Sequence, residues 1–183
     1  MPKYVAFLRA INVGGHTVKM DHLRGLFETL GFSKVETFIA SGNVIFDSTS
    51  KSSKALEKRI ENCLQENLGY EVATFIRSTS ELAAIAQYKP FIDSELNVEG
   101  NTLYIGFMAD RPSETAKANL LSLASKADDF HLDGREVYWL CRTKFGESAI
   151  SGALLAKTLG LPATLRNATT IKKLAAKYSS RSS

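Results

Sequence analysis

The same succession of apolar patterns runs through this chain twice, on either side of an acidic, aperiodic stretch. That repetition limits the folds open to it more than any single motif does. In the first half, Tyr4 to Ile11 is nearly all apolar, as a strand covered on both faces would be, and Asn12-Val13-Gly14-Gly15 breaks it. Met20, Leu23, Phe27 and Leu30 recur at helical spacing before Gly31, which predicts a helix from about Lys19 to Leu30. Val35 to Ala40 and Val44 to Asp47 flank Ser41-Gly42-Asn43 as the two arms of a hairpin. Leu56, Ile60, Leu64 and Leu68 mark a second helix ended by Gly69. Val72 to Arg77 reads as a fourth strand, and the capping box Ser78-Thr79-Ser80-Glu81 opens a further helix.

After Pro90 the stretch from Phe91 to Asn101 shows neither period and reads as a linker. The pattern then returns. Leu103 to Met108 predicts a strand, and Pro112-Ser113 starts a helix carrying Leu120 and Leu123. Phe130 to Leu132 and Val137 to Cys141 flank the Asp133-Gly134 turn. Ile150, Leu154, Leu155 and Leu159 build another helix closed by Gly160, and Ile171, Leu174, Ala175 and Tyr178 give a last one, capped near Thr169 or Thr170. Each half therefore presents β-α-β-β-α, the order of the split β-α-β unit. The predicted fold class is α+β, with two tandem ferredoxin-like units of the β-α-β-β-α-β type and mixed sheets. The first unit, with its following helix, takes residues 1–90, a linker takes 91–101, and the second unit with the C-terminal helix takes 102–183. One continuous domain without a true repeat is the alternative.

The 183 residues, 44% hydrophobic and 23% charged, suffice for a sizeable core and exclude a collagenous, disordered or disulfide-stapled chain. No apolar run approaches the ~20 residues that span a bilayer, and Met1-Pro2-Lys3-Tyr4 leads into a strand rather than a secretory signal, so a cytoplasmic location without a membrane partner is expected. Cys63 and Cys141 form no C-x-x-C pair, no His stands at metal-ligand spacing, and neither a metal nor a cofactor is expected. Both cysteines read as small buried hydrophobes. His16, His22 and His131 are scattered away from any obvious nucleophile, which argues against a Ser or Cys hydrolase.

Charge is unevenly distributed. From Ser148 onward there is no Asp or Glu, while Lys157, Arg166, Lys172, Lys173, Lys177 and Arg181 contribute six positive charges to a net +4, leaving the first 147 residues at −2. The asymmetry favours a phosphate or an acidic partner, or is simply a solvated helix whose basic end suits its dipole.

Arg9 stands out in the otherwise apolar row Val5, Phe7, Arg9, Ile11, where a guanidinium must be paired, bind an anion or emerge at the strand end. Asn12, Gly14 and Gly15 follow at once, and their backbone N–H groups could converge on one anion. The plain alternative is an Arg paired to a carboxylate, with glycines that serve only the turn. Asn43 displays a carboxamide at the hairpin and Arg77 ends a strand. Arg166 and Asn167 stand where the last helix begins, where contact with a ligand and capping weigh equally. Ser148 is expected either to cap a helix or to receive an anion there. Phe7 and Phe46 occupy the strands on which a ferredoxin-like sheet displays rings to RNA, but the basic-glycine-aromatic pattern is missing around Asn43-Val44-Ile45-Phe46.

These stretches carry a resemblance. Leu8-Arg9-Ala10-Ile11-Asn12-Val13-Gly14-Gly15, Ser41-Gly42-Asn43-Val44-Ile45-Phe46, Ile76-Arg77 through Glu81-Leu82, and Thr164-Leu165-Arg166-Asn167 with Lys173-Leu174 resemble, over almost the whole length, a widespread bacterial family known as domain of unknown function 1697. The family pattern has an aromatic and an Asn where this chain has Ala168 and Thr169, and a Lys where Ala149 stands. The resemblance implies an α+β fold of ferredoxin-like units, and brings no activity, substrate or cofactor with it. The leading functional expectation is a binding protein for an anionic small molecule in a cleft between the two halves, using Arg9, Asn12, Gly14, Gly15, Asn43, Arg77, Arg166 and Asn167. The alternatives are an enzyme acting on a phosphorylated or nucleotide-like substrate, with His16 or Glu147 as the only candidate bases, and an RNA-binding module. The sequence does not fix the oligomeric state.

Overall fold

A computed structural model of the chain describes residues 1–11, 15–38, 42–144 and 147–179. They divide into two compact units, Met1–Leu82 with Tyr178, and Ala83–Lys177.

Unit 1 runs β1 (Lys3–Leu8), α1 (Met20–Thr29), β2 (Ser33–Thr37), β3 (Asn43–Asp47), α2 (Ser53–Leu68), β4 (Thr74–Ser78) and the start of α3 (Thr79–Gln87). Its four-stranded sheet has the order β2-β3-β1-β4. Tyr4, Ala6 and Leu8 of β1 share one face with Val44 and Phe46 of β3. There they bury against Leu23 and Phe27 of α1 and Leu56, Ile60 and Leu64 of α2. The ring of Phe46 lies 4.4 Å from Phe32 and 5.6 Å from Phe27. The opposite face is buried as well, at Val5, Phe7, Ile45 and Phe75. With both central strands covered on two sides, the near-continuous apolar run of the sequence is explained. It also removes Phe7 and Phe46 as platforms for a base.

Unit 2 runs from the rest of α3 through α4 (Asp93–Leu96), β5 (Thr102–Phe107), α5 (Glu114–Leu121), β6 (Asp128–Asp133), β7 (Glu136–Cys141), α6 (Gly152–Leu159) and β8 (Thr164–Asn167) into α7 (Ala168–Ser179). The sheet order is β6-β7-β5-β8. Val137, Trp139 and Cys141 of β7 meet Leu120 of α5 and Leu155 and Leu159 of α6 on one face. Side chains of the two flanking strands close tightly around Gly106 of β5, where a Cβ would stand 2.5 Å from Cγ1 of Val137 and 3.2 Å from Cδ2 of Leu165.

The expectation of mixed sheets is corrected: every hydrogen-bonded strand pair described is antiparallel. Each crossover helix, α1, α2, α5 and α6, does connect two strands of like direction, but another strand lies between them. β3 separates β1 from β2, and β1 separates β3 from β4, so no parallel pair is ever adjacent. The closing strand that the β-α-β-β-α-β order requires of unit 2 is β8, which the sequence does not place because its four residues are bracketed by Pro162 and the onset of α7 and show no alternation. The stretch read as a linker contains the one-turn helix α4.

Of the local capping signals, one holds and two move to a nearby residue. Ser78 N–H donates to Oε1 of Glu81 at 3.0 Å and Glu81 N–H to Oγ of Ser78 at 3.2 Å, which is the capping box read from sequence. Ser148 does not cap α6; Ser151 does, accepting from the N–H of Leu154 at 3.1 Å. The Ser148 hydroxyl instead donates to the carboxylate of Asp128 at 2.8 and 2.9 Å. α7 is capped by neither threonine: Oδ1 of Asn167 accepts from Thr169 N–H at 2.9 Å. Among the described residues no helix is long and apolar enough to cross a membrane.

Candidate functional site

The expected site residues fall into both units. At the end of β1, the Arg9 N–H donates to the Ala73 carbonyl at 2.9 Å, while its half-buried guanidinium makes no hydrogen bond or ion pair with any described residue. Ala10 takes a left-handed φ of 53°. Asn12, Gly14 and Ser41 lie outside the described residues; Gly15 is exposed. Gly42 has φ +81°, and a Cβ there would come within 3.1 Å of the Leu8 carbonyl oxygen, so the hairpin can fold over the end of β1 only with glycine at this position. Asn43 is buried, and its Nδ2 donates to the Phe38 carbonyl at 3.0 Å, bracing its own hairpin. Near this end of the sheet, Tyr70 donates its hydroxyl to the Ile11 carbonyl at 3.0 Å and its ring stacks on His16 at 3.8 Å.

Arg77 is opposite Val5, whereas Arg9 is opposite Ala73, so the two arginines belong to opposite ends of the β1–β4 ladder. Four residues of strand separate them, about 13 Å. Arg77 is fully buried and donates to the Ile76 carbonyl at 2.9 Å. Arg166 occupies the corresponding position of unit 2, on β8 opposite Ile105, and donates in the same way to the Leu165 carbonyl at 2.9 Å and also to the Thr164 hydroxyl at 2.7 Å. Burial pulls the Arg166 guanidinium down to a pKa of about 10.

Unit 2 holds a cleft of about 660 Å³. Its floor is the face of the sheet opposite α5 and α6, at Leu103 and Ile105 of β5. One wall is the end of α3 with Gln87, Tyr88 and Lys89, a second is the α4 segment with Asp93, Leu96, Asn97 and Asn101, and the third is the first turn of α7 with Asn167, Ala168, Thr169 and Lys172. Arg166 shares that face of the sheet through its pairing with Ile105 but does not line the cleft.

Short-range bonds hold each wall. Asn101 Nδ2 donates to the Glu95 carbonyl at 2.9 Å, closing the turn after α4. Arg142 fixes α4 to the sheet, reaching Glu95 at 3.0 Å and Asp129 at 3.1 Å. The bond to Asp129, more than that to Glu95, holds this guanidinium above its ordinary pKa. The Tyr88 hydroxyl is 2.6 Å from Nε2 of His131, and its ring lies 5.2 Å from that of Tyr138. Burial, then the nearby Asp133 charge, raises the Tyr88 phenol, so it stays neutral at physiological pH.

The charged side chains that line this cleft are Lys89, Asp93 and Lys172, beside the first turn of α7. The first N–H groups of a helix lack intrahelical partners and carry its positive end, and most helices answer with acidic residues there. α7 has none in its first turn. Lys172, one turn in, makes no hydrogen bond or ion pair with a described residue, whereas Lys89 at the opposite wall is 3.1 Å from Asp93. Of the expected ligand-binding residues that are described, Asn167 alone lines this cleft. Tyr88, Lys89, Asn97, Asn101 and Lys172 were missed as a group. The only hint was the acid-free basic segment that contains Lys172, since the others come from the aperiodic stretch and the helix before it. Among the described residues no group of His, Cys, Asp or Glu side chains could hold a metal ion.

Comparison with known proteins agrees with this architecture. The structure of conserved bacterial protein SP0830 from Streptococcus pneumoniae superposes with a TM-score of 0.77 at 23% identity, covering 98% of this chain and 99% of that one. At that identity the likeness concerns the fold alone. No curated protein matches the sequence. The family model described as protein of unknown function (DUF1697) matches residues 1–138, and the chain belongs to that family.

Proposed function

We propose that this chain is a binding protein for a small phosphate- or carboxylate-bearing ligand, taken up in the unit 2 cleft at the start of α7. The observation that carries the reading is the meeting, in one concavity, of a helix N-terminus without acidic residues and the uncommitted ammonium of Lys172. Asn167 shapes the receiving turn, and Arg166 adds positive potential from the same face of the sheet. Arg9, Gly15, Asn43 and Arg77 belong to unit 1 and are not among the residues lining this cleft. The strand order within each unit supports a ferredoxin-like reading of both. The two buried free thiols suit a reducing, cytoplasmic setting.

The test is a titration of the 15N-labelled protein with inorganic phosphate, followed by amide shifts. The amides of Ala168, Thr169 and Thr170 should move together, and Lys172→Ala should weaken the response about three- to tenfold, as loss of one charge-assisted contact does. Millimolar phosphate that leaves those amides in place, or an unchanged affinity in Lys172→Ala, refutes the reading.

A further inference from the structure

The cleft is much larger than its anion-receiving corner, and the remaining walls have a chemistry of their own. A phosphate group would occupy a small part of about 660 Å³. Beyond the corner lie the apolar floor of Leu103 and Ile105, the carboxamides of Gln87 and Asn97, and the ring of Tyr88. The two carboxamides make no hydrogen bond with described residues, so each offers a donor and an acceptor. Tyr88 is one of the few large apolar side chains with substantial exposure among the described residues, at 38%. It is not loose, because its hydroxyl is held by His131 and its ring by Tyr138. A rigid, half-exposed ring beside paired donors and acceptors is how proteins receive a planar heterocycle, whose face stacks while its edge hydrogen-bonds.

Resting on the anion reading above, we infer that the ligand is a nucleotide-like organic anion. Its phosphate lies against the first turn of α7 and Lys172, and its heterocycle lies on Tyr88 within reach of Gln87 and Asn97. The neutral phenol fits this role, since it adds no negative charge opposing the phosphate.

The experiment compares three probes on the 15N-labelled full chain: a nucleoside monophosphate, the matching nucleoside and inorganic phosphate. The monophosphate should bind at least tenfold more tightly than either of the others and should shift the Tyr88 and Asn97 amides together with those of Ala168 and Thr169. Tyr88→Ala should remove that tenfold advantage while leaving inorganic phosphate unaffected. Tyr88→Phe, which keeps the ring, should retain most of it. Far-ultraviolet circular dichroism checks that both variants fold. Equal affinity for phosphate and monophosphate, both weakened by Lys172→Ala, overturns the heterocycle assignment but leaves the anion site standing. A nucleoside that binds as well as its monophosphate, or no shift at α7 with any probe, overturns both.

Discussion

Asp128 offers a sharp test of how unit 2 is held together. Its side chain is a carboxylate at 3% exposure, and the described partners are the Trp139 indole N–H at 2.8 Å and the Ser148 hydroxyl at 2.8 and 2.9 Å. Hydrogen bonds to a charged acceptor contribute about 1.5–3 kcal/mol each, and a buried donor left without an acceptor costs about 1–3 kcal/mol. In Asp128→Ala the fully buried indole N–H bears that cost in full. The half-buried Ser148 hydroxyl recovers part of its loss from water, and the relieved desolvation of the carboxylate offsets some of the remainder. The net expectation is a loss of about 2–4 kcal/mol, with Asp128→Asn nearer 1–2 because one carbonyl oxygen is kept. Trp139 is the chain's single tryptophan, so urea unfolding followed by its fluorescence reports on this site directly. A 3 kcal/mol loss should lower the midpoint by about 1–3 M for slopes of about 1–3 kcal/mol/M. Ser148→Ala should cost less than about 1.5 kcal/mol alone and almost nothing in the Asp128→Ala background. An Asp128→Ala midpoint within about 0.2 M of the parent, or strictly additive losses in the double variant, would show that the carboxylate is not the hub of this network.

Two further outcomes follow from packing and charge. Gly106→Ala should destabilise unit 2 by about 1–3 kcal/mol in the same fluorescence assay, because the new methyl meets buried, β-branched Val137 at 2.5 Å; the ~0.4–1 kcal/mol that Gly→Ala normally contributes is too small to reverse the sign. An unchanged midpoint would mean that Val137 moves aside freely. For Arg166, the folded pKa of about 10 lies below the ordinary guanidinium value, so between the two the unfolded chain binds more protons than the native one and stability rises with pH. The difference in urea midpoint between the parent and Arg166→Gln should therefore shift in favour of the parent from pH 9 to pH 11, and a constant or opposite shift would contradict burial as the cause.

What the sequence determined by itself is whatever depends on neighbours along the chain. The helix stripes at Leu56, Ile60 and Leu64, the Ser78–Glu81 capping box and the Asp133-Gly134 hairpin were legible because turn geometry and a 3.6-residue period are local properties. The anomaly at Arg9 was legible for the same reason. Strand direction within each sheet was not, since it depends on which strand inserts between the two ends of a helical crossover, and β1 between β3 and β4 is a choice made by the whole sheet. β8 is a strand through its pairing with β5, although its four residues show no alternation of their own. The unit 2 cleft gathers side chains from α3, the α4 segment, β5 and α7, up to some 85 positions apart, none with a local signature. Only packing of those elements onto one sheet face brings Tyr88, Asn97 and Lys172 around a common space, because proximity across such separations is fixed by tertiary burial and not by any pattern a short window can hold.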